Sequence, residues 1–158
     1  MSMRIGHGFD VHPFTDDPDR VLIRGGVTFA GERGLKGHSH ADVVAHACSD
    51  ALLGAAGLGD LGRHFPDSDP QWSGADSLAL LADVARLVAD AGWTVANVDC
   101  TVVAEAPRLA PHRDAMEAAL SEAAGAPVTV KATTAEGLGA IGRGEGIAAQ
   151  AVALLTAP

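Results

Sequence analysis

Tyrosine is absent, and only four Phe and two Trp occur in 158 residues, so the interior cannot rest on large aromatic plates. With 47% of the residues hydrophobic, the core is expected to be built from Ala, Val and Leu, side chains small enough for a helix to lie close on a sheet. Basic residues are also scarce: 11 Lys and Arg stand against 20 Asp and Glu, a formal charge of −9. This balance excludes a general nucleic-acid binder and a protein that adheres to anionic membranes, since both need a basic footprint. A polyanionic substrate must then be met by locally placed cations or by metal ions. Two cysteines, Cys48 and Cys100, are too few for a disulfide framework and suit a reducing compartment. No apolar run approaches the length of roughly 18 residues that a membrane helix needs. With no secretory leader pattern either, the expected location is the cytoplasm.

A chain of 158 residues suits one domain, taken here as residues 1–158. Its organising stretch is 37–62, GHSHADVVAHACSDALLGAAGLGDLG, where ionisable residues recur at helical spacing among small apolar ones. Ser39, followed three residues later by Asp42, reads as a helix N-terminus, and the helix is expected to begin near His40. Asp42, His46 and Asp50 then fall at i, i+4 and i+8 on one face, with Val43, Ala47, Ala51 and Leu52 on another. For a lone histidine the ordinary role is a hydrogen-bonded helix face.

Residues 3–11 read as a glycine-bearing strand, on which Asp10 and His12, two apart, point to the same side. Short strands are expected at 21–23 and 27–30, joined by Gly25-Gly26, and a helix over 76–91 with Gly92 after it. The alternation of Val98, Cys100 and Val102 with Asn97, Asp99 and Thr101 predicts a half-buried strand over 93–103. A helix over 111–124 and a strand over 128–132 follow. Residues 57–70 are expected to be an irregular loop, 137–146 a glycine loop, and 147–155 a strand buried on both faces. Strands followed by helices make this an α/β (α+β) chain, a sandwich of a mostly β sheet against helices.

Asp10, His12 and His46 together offer one carboxylate and two imidazoles, a set that suits zinc with the fourth position open. Thr133, Thr134 and Glu136 follow a strand; hydroxyls and free amides there suit phosphate oxygens and a carboxylate suits Mg2+ or Mn2+, although a Thr-rich turn has the same composition. Arg143 and Glu145, among glycines, form either an anion contact or an ion pair that stiffens the loop.

Taken in order, RIGHGFDVHPF, GHS, DVVAHACSDALLGAAGLGDLG, FPDSDP, GADS, AEAPRLAPH, KATTAEGLG and GRGEGIA resemble the 2-C-methyl-D-erythritol 2,4-cyclodiphosphate synthases of the non-mevalonate isoprenoid pathway along essentially the whole chain. The resemblance implies Asp10, His12 and His46 as zinc ligands and Glu136 as the protein ligand of a second divalent ion, Mg2+ or Mn2+. It implies His38 and Thr134 as transition-state stabilisers. Ser39, Asp60, Leu61, Gly62, Phe65, Asp67 and Asp69 would contact the methylerythritol phosphate, Ala104, Pro107, Arg108 and Ala110 the cytidine, and Ala140 would lie on the floor of the substrate cavity near Arg143; Thr133 and Arg143 remain candidate phosphate contacts on their residue types. It further implies a homotrimer with active sites between subunits, acting on a cytidine diphosphate substrate, with no nucleic-acid or membrane partner. Three departures stand out: His40 where aspartate is usual, Ala135 where a third threonine is common, and Ala140 where phenylalanine often stands. Two other readings of the residues are a zinc phosphohydrolase and a non-catalytic protein holding isoprenoid diphosphates near Arg143 and Glu145.

Overall fold

The computed structural model describes residues 1–158. Its longest strands lie side by side: β1, Ser2–Pro13, pairs antiparallel along its whole length with β6, Gly146–Ala157. On the far side of β6 lies β4, Thr94–Val103, also antiparallel, and β5, Val128–Thr133, runs parallel to β4, giving the order β1-β6-β4-β5. The single parallel pair is made through α4, Arg113–Ala124, the kind of crossover such a pair requires. A small hairpin of β2, Leu22–Arg24, and β3, Val27–Phe29, stands apart from the sheet; its turn is Gly25-Gly26, both at positive φ.

One face of the sheet is covered by α1, Val43–Ala56, with α3, Ser77–Asp90, packed against that helix. Eleven of the 14 residues of α1 are buried, so it is the hub of the molecule rather than a surface helix. Its start differs from the sequence expectation. The cap is Asp42, not Ser39, and the helix begins at Val43: the Asp42 carboxylate accepts from the Val44 and Ala45 amides and also from the Gly25 and Gly26 amides of the hairpin turn. A carboxylate that serves two elements outcompetes a hydroxyl that serves one. Asp42 is therefore buried behind the helix start, and only His46 and Asp50 remain on the open face.

The strand over residues 147–155 is not buried on both faces. Ile147, Ala149, Ala151, Ala153 and Leu155 face the helices, whereas Val152 is 47% exposed on the outer face. There it adjoins His7, and Ile5, Phe9 and Val11 of β1 are likewise uncovered. The period of two was hidden because both faces of this strand carry apolar residues. The regions 57–70 and 137–146 are also more regular than expected. The first contains α2, Leu61–His64, capped by Asp60, and leads into a 3-10 turn at Pro70–Trp72, capped by Asp69; the second contains α5, Gly139–Gly142. No helix is long and apolar enough to cross a membrane.

Candidate active site

The even-numbered residues of β1 face α1. Gly6 and Gly8 let the helix backbone approach closely, and beyond them, where the contact opens, the same face presents Asp10 and His12 toward His46. The Asp10 carboxylate Oδ2 lies 3.1 Å from His46 Nδ1 and 3.2 Å from His12 Nε2. Ligand atoms of the three residues all fall within 4.8 Å of one another.

Each imidazole is oriented from behind. His12 Nδ1 donates to the Lys36 carbonyl at 2.8 Å, which leaves the Nε2 lone pair turned toward Asp10. His46 Nε2 has the hydroxyls of Ser39 and Ser77 at 3.1 Å each, which leaves Nδ1 for the same centre. Such outer partners fix ring orientation at metal sites, and the donor set of two nitrogens and one carboxylate oxygen fits a divalent cation with an open position.

Burial alone would push the Asp10 carboxyl up, but the hydrogen bonds and charges of His12 and His46 outweigh it and hold its pKa at about 2. His12 shows the converse: burial disfavours its charged form, yet the Asp10 hydrogen bond and charge raise it above its ordinary value of 6.5. In metal-free protein, Asp10 contributes stability above its ordinary pKa of 3.8, and this is lost as pH falls through about 2. The His12 contribution is complete below 6.5 and is lost as pH rises through the higher folded value. The metal-free protein is therefore expected to gain about 2 kcal/mol from the cluster between roughly pH 4 and 6.5. Thermal melts across that range should show a stability maximum that flattens in Asp10→Asn.

A cavity of about 240 Å³ opens over the cluster, and His38, Ser39, Leu61, Gly62, Phe65 and Asp67 line it together with Asp10, His12 and His46. Asp60 and Asp69 are not in that wall; their carboxylates cap short helices, Asp60 at Arg63 N and Asp69 at Gln71 N. Asp50, Trp72 and Leu80 also line the cavity, though no role follows for them from sequence. Asp50 accepts from the Leu61 amide at 2.8 Å, and burial raises its pKa. Trp72 meets Phe65 edge-to-face at 4.9 Å, a pairing with no sequence signal, and Ser77 is visible only as part of the GADS motif. His40 stands 3.8 Å from Asp76 and lines no part of the cavity.

The other candidates lie elsewhere in the chain. Asp10 pairs with Ala149, Ala149 with Val102, and Val102 with Ala132. At about 4.8 Å per step, the end of β5 lies roughly 14 Å from Asp10. Thr133, Thr134 and Glu136 follow there; Thr134 donates to the Glu136 carboxylate at 3.0 Å. Ala104 N donates to the Thr133 carbonyl and Ala135 N to Glu105, which ties the loop carrying Ala104, Pro107, Arg108 and Ala110 to this second group. Arg143 pairs with Glu145 at 2.6 Å, so that loop contains an ion pair, and Ala140 lies in α5 beside it. The cluster on β1 and the Thr133 to Glu136 group after β5 thus stand at opposite edges of one sheet, with Ala140 and Arg143 ahead of the inner strand β6.

The comparisons with known proteins bear on the whole chain. Residues 3–156 match the YgbB family. A protein of Burkholderia thailandensis named 2-C-methyl-D-erythritol 2,4-cyclodiphosphate synthase is 58% identical, over 98% of this chain and 96% of its own length. Among solved structures, the bifunctional IspDF from Campylobacter jejuni superposes with a TM-score of 0.92 at 40% identity, over 98% of this chain and 42% of that one. The IspF of Plasmodium falciparum, in complex with CDP, superposes with a TM-score of 0.85 at 29% identity, over 99% of this chain and 97% of that one. With fold, sequence and cluster in agreement from one end to the other, the chain belongs to the YgbB family.

Proposed function

We propose that this protein is a cyclodiphosphate synthase, a phosphorus-oxygen lyase of isoprenoid precursor biosynthesis that converts 4-diphosphocytidyl-2-C-methyl-D-erythritol 2-phosphate to 2-C-methyl-D-erythritol 2,4-cyclodiphosphate and CMP. The observation that carries this reading is the convergence of Asp10, His12 and His46 beneath an open cavity in a chain 58% identical to a relative of that name. An oxygen of the 2-phosphate attacks the β-phosphorus; a new P–O bond closes the ring, and the bond from the β-phosphorus to the bridging oxygen breaks, its electron pair leaving with CMP. The nucleophile is already anionic, so positioning and charge neutralisation carry the catalysis.

Zinc is the ion assigned to Asp10, His12 and His46, and Mg2+ or Mn2+ to Glu136, whose carboxylate lies 3.0 Å from the Thr134 hydroxyl. When bound, such ions supply Lewis-acid neutralisation of phosphate charge, which suits a protein of net charge −9. On the cavity side, His38 donates to the phosphates, and Ser39, Leu61, Gly62, Phe65 and Asp67 receive the methylerythritol unit, while Asp60 and Asp69, outside the wall, cap the short helices beside it. Thr133 and Thr134 hold the diphosphate, while Ala104, Pro107, Arg108 and Ala110 take the cytidine and Ala140 and Arg143 complete the wall.

The position of the two groups on opposite sheet edges supports a site shared between two chains. A homotrimer supplies them, and the uncovered apolar face with Ile5, Phe9, Val11 and Val152 supports burial at that assembly. The free thiols Cys48 and Cys100 suit the cytoplasm.

Phosphorus NMR of the protein with the cytidyl substrate, zinc and magnesium tests the reaction. CMP with a cyclic diphosphate is expected; CMP with a linear phosphate would indicate a hydrolase, and no turnover would overturn the proposal. Subunit sharing has its own test. His46→Ala and Glu136→Ala trimers are each expected to be inactive, whereas co-expressed mixed trimers should recover about a quarter of wild-type activity by random pairing. No recovery on mixing would place the whole site within one chain.

A further inference from the structure

Arg24, the last residue of β2, takes no part in the reaction described above, yet its side chain is fully buried. The guanidinium lies over the Phe29 ring at 4.1 Å, and Phe29 in turn packs on His112. Nη2 donates to the Pro107 carbonyl at 3.1 Å, while Nε and Nη1 have no partner. Asp42 and Glu32 act on it through charge alone, the Asp42 oxygens being occupied by backbone amides. Burial lowers the Arg24 pKa to about 10, so the group remains a cation at neutral pH.

A buried cation with two unused donors is an expensive residue, and an apolar side chain of similar length in its place is commonly neutral or stabilising. What it does here that an apolar residue cannot do is hold the Pro107 carbonyl, place a cation over the Phe29 ring and act by charge on Glu32 and Asp42. Pro107 and Glu32 both line a cavity of about 190 Å³, together with Glu105 and Ala106. Arg24 therefore stands behind two elements of that wall, gripping one by a hydrogen bond and drawing the other by charge.

We infer that Arg24 is a positioning residue for the nucleotide-side loop: by fixing the Pro107 carbonyl it sets the backbone of residues 104–110 that receives the cytidine. This rests on the cytidyl-substrate reading above. The role is distinct from phosphate contact, because the guanidinium is sealed from solvent.

Calorimetric titration with CDP, steady-state kinetics, thermal melts and hydrogen exchange of residues 104–112 test it in the wild type, Arg24→Met and Arg24→Lys. In Arg24→Met the CDP Kd and the substrate KM are expected to rise about tenfold, the loss of one charged hydrogen bond, with kcat within about twofold of wild type. The melting temperature should be equal or higher, and exchange faster in 104–112 but unchanged in α1. Arg24→Lys should fall between, since it keeps the charge without the planar fork. Unchanged CDP affinity and loop exchange in Arg24→Met would overturn the inference, as would a loss of melting temperature and kcat with affinity intact. Should Arg24→Met fail to fold, Arg24→Lys decides: wild-type loop exchange and CDP affinity there would overturn it. A wild type that does not bind CDP would overturn the substrate reading, whereas a wild type that binds it alongside indifferent variants overturns the role of Arg24 alone.

Discussion

Replacing His46 with alanine is expected to lower turnover by roughly 10³-fold or more and to strip the bound ion, because one of three ligands is lost and the phosphate charge goes unneutralised. Metal analysis of the purified variant should show its zinc content falling from near stoichiometric to near none. The fold should survive, since the side chain borders the cavity and its neighbours on α1 carry the packing. The Ser39 and Ser77 hydroxyls behind His46 Nε2 place Ser77→Ala between wild type and His46→Ala, with metal affinity about 10- to 100-fold weaker and the three ligands still present. Wild-type turnover by a metal-depleted His46→Ala would remove the basis for the metal assignment.

Gly8→Ala is expected to destabilise the protein by about 3 kcal/mol or more, a loss at the upper end for overpacking. An added Cβ would lie 1.9 Å from the Ala47 carbonyl oxygen and 2.7 Å from the Ala51 amide nitrogen. Both are helix backbone, so no flexible side chain can give way; α1 must lift from β1. Gly6 meets the same helix, with the Ala51 oxygen at 2.0 Å. Since Ala47 adjoins His46, lifting the helix also spreads the ligand cluster, and metal affinity should fall with stability. Gly54→Ala is the control: it lies on the same helix, exposed, with nothing nearer than the His7 oxygen at 3.9 Å, and should gain about 0.5–1 kcal/mol from helix propensity. Denaturant unfolding of the pair separates the two effects. Equal stability of Gly8→Ala and wild type would mean that the close contact between helix and strand is not tight in solution.

Much of this was legible from local pattern. A period of two puts Asp10 and His12 on one side of a strand, and a period of 3.6 puts His46 and Asp50 on one face of a helix; that the strand and the helix bring Asp10, His12 and His46 together is a matter of packing. Strand alternation at Val98, Cys100 and Val102 likewise matched the buried face of β4. Where several residues competed for one task, local pattern failed. Ser39 and Asp42 both suit a cap, and the choice depended on the hairpin turn that Asp42 also binds, 16 to 17 residues distant in the chain. On β6 an almost wholly apolar sequence concealed which face was covered, because nothing in the chain itself says whether α1 or another subunit lies against it.

What the sequence by itself determined is therefore the candidate metal-holding set of Asp10, His12 and His46, the order of the main strands and helices, and the acidic, cation-poor character of the chain. Only the tertiary structure decided that β5 lies three strands from β1, which separates Thr134 and Glu136 from the ligand cluster, and that Arg24 reaches Pro107 across 83 residues of chain. Spacing along a strand or helix is set by backbone geometry and can be read locally. Strand order and long-range contacts are set by which surfaces bury one another, and that is a property of the whole chain.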